Sequence, residues 1–261
     1  MATGRTSRKW ARVYMDGYDL SAFVRTLGPL SQVFATAPMA ALSDGVAGVL
    51  PDHGEASVGT LAGFLDNTAS GLHTQLNAPG TFREVLVPIG IRAAPAQGDP
   101  AFGGAFEQLD YQAVPGDGFV FAELQFGNVD AGYVDGVAAK QYRDVWGVLL
   151  HARGDETAGN TAIGVDDNGG TSAFGGLFCY QLFSSNGTVT VAAQDAATNT
   201  DPSFAGITGA SSGVVNASVT PVSGIVGVSR TLTIRRFLRW QLVLGTATTC
   251  NFASAFIRGR G

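Results

Sequence analysis

Three histidines, His53, His73 and His151, are the chain's whole stock of imidazole. None stands two or four residues from another. The His-x-His and His-Glu-x-x-His spacings, by which one strand or one helix turn aims two ligands at zinc, therefore do not occur. Gly-Ala-Ser-Ser-Gly at 209–213 matches the pattern of a nucleophile elbow. It lies in a Gly- and Ser-rich stretch with no strand-to-helix signal, and no histidine follows it to serve as the base. Phosphate-cradling glycine motifs are missing as well. The stretches VDDNGG (165–170) and DAATNTD (195–201) cluster oxygen ligands of the kind calcium takes, without the spacing of a calcium-binding hand. Solvated turns stabilised by Asp and Asn side chains are the simpler expectation for both. The sequence thus predicts no catalytic residue, no cofactor and no metal site, and the chain is not expected to be an enzyme.

Cys179 and Cys250 cannot make a disulfide framework and lack metal spacing, so two buried thiols are expected. The 261 residues carry a net charge of −5, only 14% charged residues, 45% hydrophobic residues, 36 glycines and two lysines. The acidity disfavours general attraction to nucleic acid. No apolar run reaches the 18 residues that a membrane-spanning helix needs, so no membrane insertion is expected. A surface this poor in charge favours association over solubility.

The elements read as strands with glycine-rich turns. Residues 11–24 carry an Asp-Gly dipeptide between two apolar runs, the signature of a tight hairpin. Residues 56–66 and 82–91 read as strands, and 102–126 as two strands joined by Pro-Gly-Asp-Gly. The best helix is 68–77, with Thr68 as its cap and Ala69, Leu72 and Leu76 on one face. Residues 129–144 lose the pattern and read as a connector. Beyond them come a strand at 145–152, a long polar loop, a hairpin at 177–196 turned by Ser-Ser-Asn-Gly, and two strong final strands. Many short strands of this kind indicate an all-β sandwich or barrel.

The run TLTIRRFLRWQLVLG (231–245) sets three arginines among apolar residues. Strand alternation puts Leu232, Ile234, Arg236, Leu238, Trp240, Leu242 and Leu244 on a core face and Arg235 and Arg239 on the other. Arg236 then either reaches water near the start of the strand or pairs with a carboxylate at a subunit contact. Two outward arginines are too few for a grip on nucleic acid.

The segments MDGYDLSAF, MAALSDGVAGVLPDHGEASVGTLAGFLDNTASGLHTQLN and FGGAFEQLDYQAVPGDGFVFAELQF resemble the tail tube proteins of long-tailed, non-contractile bacteriophages. The later stretches GGLFCYQLFSSNGTVTVAAQDAATNTDPSFAGIT and RRFLRWQLVLGTATTCNFASAFIR are similar to the β-sandwich appended to such proteins. The resemblance implies a tail tube β-sandwich or barrel domain at 1–128, the connector at 129–144, and a second β-sandwich at 145–261 on the outer surface of a tube. It implies a structural virion protein, made in the host cytoplasm, that closes into hexameric rings stacked as a conduit for DNA. The partners implied are further copies of the chain, the tape-measure protein, and terminator and tip proteins, with DNA passing but not held. Glu107, Asp110 and Glu123 are then candidates for the lumen. Ser43, Asp44, Leu50, Leu72, Leu76, Arg8 and Lys9 are candidates for contacts between subunits. The competing expectation is a capsid decoration or carbohydrate-binding sandwich, with Trp240, Tyr180 and Phe183 as aromatic platforms.

Overall fold

The Asp-Gly dipeptide folds as its chemistry dictates. Asp16 and Gly17 take φ of 51° and 83°, the doubly left-handed turn whose twist suits a two-residue hairpin. It joins β1 (Tyr14–Met15) to β2 (Tyr18–Asp19). The computed structural model describes residues 8–39, 48–91, 93–116, 118–128, 144–159, 163–166 and 170–259, with the side chains of 8, 34–39, 48–54 and 128 excepted. Over these ranges the chain is antiparallel sheet with a single five-residue α-helix, in keeping with the all-β expectation. The expected connector, 129–144, lies outside the described residues except for Asp144.

In the first half, β6 (Phe82–Pro88) pairs with β1, then with β7 (Pro100–Gln108). β9 (Val120–Asn128) pairs with the end of β7, with β8 (Gln112–Pro115), and on its other side with β5 (Gly48–Phe64). β3 (Val24–Leu27) and β4 (Leu30–Met39) follow one another along the far edge of β5. This sheet curls around a core that includes Met15, Leu61, Val85, Phe102, Phe106, Leu124 and Phe126. Each fully buried phenylalanine contributes roughly 2–3 kcal/mol of hydrophobic stabilisation.

The helix is shorter than its sequence pattern. α1 spans Leu72–Leu76 and is preceded by Gly71, with no side-chain cap. Thr68 is instead held by Asp66, whose Oδ1 accepts from both the Thr68 amide at 2.7 Å and its hydroxyl at 2.5 Å. That local turn competes with helix over 66–70 and wins, as such side chains commonly do.

The second half is a sandwich. One layer orders β16 (Val222–Val228), β12 (Gly176–Ser185), β18 (Cys250–Arg258) and β10 (Trp146–Glu156). The other orders β11 (Val165–Asp166), β17 (Phe237–Leu244), β13 (Thr188–Ala196) and β14 (Ala205–Ser211), with β15 (Val215–Asn216) beside β13. Phe178, Leu182, Val191, Leu238, Trp240, Phe252 and Phe256 fill the space between them.

The hairpin expected at 177–196 does not form. β12 pairs with β16 and β18, whereas β13 pairs with β14, β15 and β17 in the opposite layer. Neither Asn186 nor Gly187 takes the positive φ that a tight hairpin needs. The Asn186 side chain ties instead to Thr248 and Thr249, accepting from their amides at 2.8 and 3.1 Å, and carries the chain over the sandwich edge.

The two halves share one sheet. Trp146, Gly147 and Val148 of β10 pair with Phe102, Ala101 and Pro100 of β7, so 13 strands run through both. β12 is buried on its two faces. Phe178, Tyr180 and Leu182 enter the sandwich core, while Leu177 and Cys179 meet Tyr14, Leu86 and Ala101 of the first half. This explains why LFCYQLF reads as an apolar run rather than an alternation. At the centre of this seam Gln181, fully buried, accepts from the Gly17 amide at 2.6 Å and donates to the Glu84 carbonyl at 2.9 Å. Polar links continue inward. Asp16 accepts from Arg83 at 3.0 Å, Arg83 donates to Gln108 at 3.1 Å, and Gln108 donates to the last carbonyl of α1 at 2.6 Å.

Candidate assembly surface

No cluster of three metal-ligating side chains occurs among the described residues. The acidic loops spend their carboxylates on the arginine run. Asp195 accepts two bonds from the Arg235 guanidinium, at 2.6 and 2.8 Å. Asp166 takes Arg236 at 2.6 Å, and Asp201 takes Arg239 at 2.5 Å. β17 begins only at Phe237, so Arg236 stands at the start of the strand and finds its partner on β11 of its own chain. Arg239 was expected on an outward face. It is buried under Phe204, whose ring centroid lies 4.3 Å from the guanidinium carbon, and it donates to Gln194 at 2.7 Å. Ser211 of the elbow-like pentapeptide accepts from the Gly213 amide at 3.1 Å, as a turn residue does. Burial raises both thiols: Cys250 is pushed up to about 12 and Cys179 higher still. Each is a packing residue rather than a nucleophile at neutral pH.

Two surfaces among the described residues are organised. Among the described residues, β5 pairs only with β4 from Ser57 back to Gly48, and β9 meets it no further along than Val58. Over this stretch the two strands form a ribbon, about 30 Å long at the usual rise per residue, whose outer edges have no partner strand among the described residues. Among the described residues of its base, Val33 is 59% exposed. A two-stranded ribbon is marginal on its own in water and presents its edges for pairing.

The second surface is the part of the first sheet's outer face that the sandwich leaves uncovered. Ala122, Leu124 and Phe126 of β9 point into the core, so Phe121, Glu123 and Gln125 point away from it. Glu107 of β7 shares that outer side, opposite Phe82 and Gly127. At one end, Phe64 of β5 and Phe119 and Phe121 of the β8–β9 hairpin gather into an aromatic patch. The Phe64 ring lies 5.4 Å from Phe119 and 5.6 Å from Phe121, with Arg25 over Phe121 at 5.2 Å. Phe119 is 62% and Phe64 41% exposed. Exposed aromatic side chains grouped like this mark contact sites. The sequence signal for the patch was parity: Phe119 and Phe121 fall on the strand positions that alternate with the core residues.

The sequence-derived candidates are distributed as follows. Glu107 and Glu123 sit half-exposed on that outer face. Asp110 links β7 to β8, and its carboxylate accepts from the Gln125 amide at 2.6 Å, so it anchors a turn. Leu72 and Leu76 are fully buried in the first core, and α1 therefore offers them to no neighbour. Lys9 is exposed, with its ammonium 4.7 Å from the centroid of Trp10. Ser43 and Asp44 lie outside the described residues, as do the side chains of Leu50 and Arg8. Trp240 and Tyr180 are buried, and Phe183 is covered by Tyr14 and Arg153, so none of the three is an open aromatic platform.

No family model matches the chain, and no curated protein does. Among solved structures it is similar to SPP1 Dit (gp 19.1), described as a paradigm of the hub adsorption apparatus in Gram-positive infecting phages. That match has 14% identity, covers 94% of this chain and 98% of that one, and has a TM-score of 0.29. A likeness of this size carries no argument about function. No described helix is long and apolar enough to cross a membrane.

Proposed function

We propose that this chain is a structural subunit of a phage tail, and within the tail a tube subunit whose copies close into rings and stack into a conduit. The observation that carries this reading is the β4–β5 ribbon. Ten residues of β5 have no partner on one side among the described residues, and a ribbon so built finds its missing strand on another copy. Pairing that passes from copy to copy in one direction closes into rings or runs on as filaments. The resemblance of the sequence to tail tube proteins supports the ring. In such a ring the uncovered face that carries Glu107 and Glu123 faces the bore, where carboxylates let DNA pass without gripping it. The second sandwich lies outside.

Electron microscopy of the purified chain across a concentration series tests this. Rings or tubes about a hundred Å wide are expected, the scale of a barrel closed by some two dozen strands with a sandwich outside it. Removal of residues 36–52 should leave a folded monomer. A wild-type chain that stays monomeric at every concentration refutes the reading. The competing role, a glycan-binding or decoration protein, has no open aromatic platform at Trp240, Tyr180 or Phe183 to support it. A glycan array probed with the full chain distinguishes the two.

A further inference from the structure

A groove of about 230 Å³ opens beside β1 and β3, lined by Lys9, Arg12 and Arg25 over a floor that includes Val13, Val24 and Leu27. Its charge is uncompensated. Of the seven other arginines whose side chains are described, all but the exposed Arg230 are already engaged. Arg83, Arg153, Arg235, Arg236 and Arg239 each hold a carboxylate, and Arg258 donates to three backbone carbonyls. Lys9, Arg12 and Arg25 have no carboxylate partner among the described residues. Arg12 donates only to the carbonyls of Lys9 and Ala11, at 3.2 and 3.0 Å. Three uncommitted cations thus line one groove, in a chain whose net charge is −5.

The matching deficit is on the outer face of the same sheet. Asp16, Asp19, Asp195, Asp166 and Asp201 hold arginines, Glu156 holds His151, and Glu84 holds Ser223. Glu107 and Glu123 hold nothing among the described residues. Glu123 lies two positions from Phe121 in β9, and Arg25, which lines the groove, stacks on Phe121. An aromatic patch therefore has unpaired cations on one flank and unpaired carboxylates on the other. Cations on one flank and carboxylates on the other complement each other when copies are set side by side in one direction, the cation flank of one against the carboxylate flank of the next.

We infer that the Lys9–Arg12–Arg25 groove is the receptor for a second copy of this chain, and that it takes the neighbour's Glu107 and Glu123 carboxylates, with the Phe64–Phe119–Phe121 patch beside the contact. The inference rests on the reading of the chain as a self-assembling subunit and names the surfaces by which it assembles. Glu107 and Glu123 then stand at the junctions between copies along the bore, where they neutralise the neighbour's cations and leave none free to grip DNA.

Charge reversal in two variants tests it, with assembly followed by sedimentation velocity at low and high salt. R12E/R25E and E107R/E123R, each alone, should keep the wild-type circular dichroism and melting temperature. Each should raise the concentration for half-assembly by about a hundredfold, the order that like charges facing across a contact impose. Mixed in equal amounts they should assemble again, because each variant's groove now faces the other's complementary carboxylates or guanidiniums. Wild-type assembly should weaken from 50 mM to 500 mM salt. If the wild type assembles and R12E/R25E assembles equally well, the groove assignment is wrong while the tube reading stands. If R12E/R25E fails but E107R/E123R does not, or the mixture stays dissociated, the proposed occupant is wrong. Retardation of DNA by the wild type that R12E/R25E abolishes assigns the groove to phosphate and overturns the proposal. A pairwise contact that obeys the charge swap without rings upholds it and refutes the tube.

Discussion

Replacement of Gln181 by leucine isolates the polar bridge at the seam between the halves. Leucine has nearly the same volume and suits the apolar side of β12, where Leu177 and Cys179 point the same way. The variant removes two hydrogen bonds. The Gly17 amide loses its partner at 2.6 Å and has no other acceptor among the described residues. The Glu84 carbonyl loses Gln181 but keeps the Asp16 amide at 3.1 Å. An orphaned buried N–H costs about 1–3 kcal/mol, and a carbonyl left with one of two bonds costs less. Buried methyl groups return part of that. The expected net loss is about 2–3 kcal/mol, or roughly 5–10 °C in melting temperature for a chain of this length. Urea unfolding should be followed by far-ultraviolet circular dichroism and by fluorescence. Trp146 reports the junction and Trp240 the second core. A Q181L variant within about 0.5 kcal/mol of wild type would refute the claim that this bridge, rather than the surrounding apolar contact, holds the turn to the sandwich.

Gly17→Ala should be costly at the same place. Its φ of +83° disfavours any Cβ, and one built there would stand 2.6 Å from Cβ of Pro221. A loss of about 2–4 kcal/mol in urea unfolding is expected from strain and overlap together. Glu84 supplies a pH dependence. Burial, chiefly, raises its carboxyl above the ordinary 4.5, against a bond from Ser223 that lowers it. The native state therefore holds this proton more firmly than the unfolded chain. The stability it contributes is present below about pH 4.5 and is lost as pH rises through the native value. Glu84→Gln should accordingly melt higher than wild type at pH 7 and alike at pH 4. A deficit at pH 7 overturns the sign. Cys179 and Cys250, buried and with raised thiol values, should resist a thiol reagent in the native protein and both react in urea, as a colorimetric thiol assay would show.

Local chemistry was legible in the sequence wherever neighbours in the chain decide the outcome. The Asp-Gly hairpin and the inward face of Trp240 both follow from a few adjacent residues. The β8–β9 hairpin follows in the same way, with Gly118 at φ +80°. What the sequence hid are the pairings made across distance. Asp166 and Arg236 are 70 positions apart, and Asp195 and Arg235 are 40 apart. Each group was visible, the acids as loop residues and the arginines as intruders in a strand, but nothing local says that one set neutralises the other. Asn-Gly at 186–187 misled for a related reason. The dipeptide permits a tight hairpin, and the distant Thr248 and Thr249 offered Asn186 a better set of donors. At 66–71 two local preferences compete, and Asp66 holding Thr68 prevails over helical spacing. Of the candidate assembly surface, Glu107 and Glu123 were expected at a lumen and Lys9 at a subunit contact, each through the resemblance. Arg12, Arg25 and the three phenylalanines needed the sheet's curvature to bring them together.

The backbone seam between β7 and β10 also bears on how the gene can be cut. A chain ended at the connector would bare Tyr14, Leu86 and Ala101 and strip the Pro100–Phe102 edge of its neighbour. The front portion would be sticky, and the rear portion would lose a border strand's support. The second sandwich is therefore no detachable cassette, and a pull applied to it travels through continuous sheet straight into the first half.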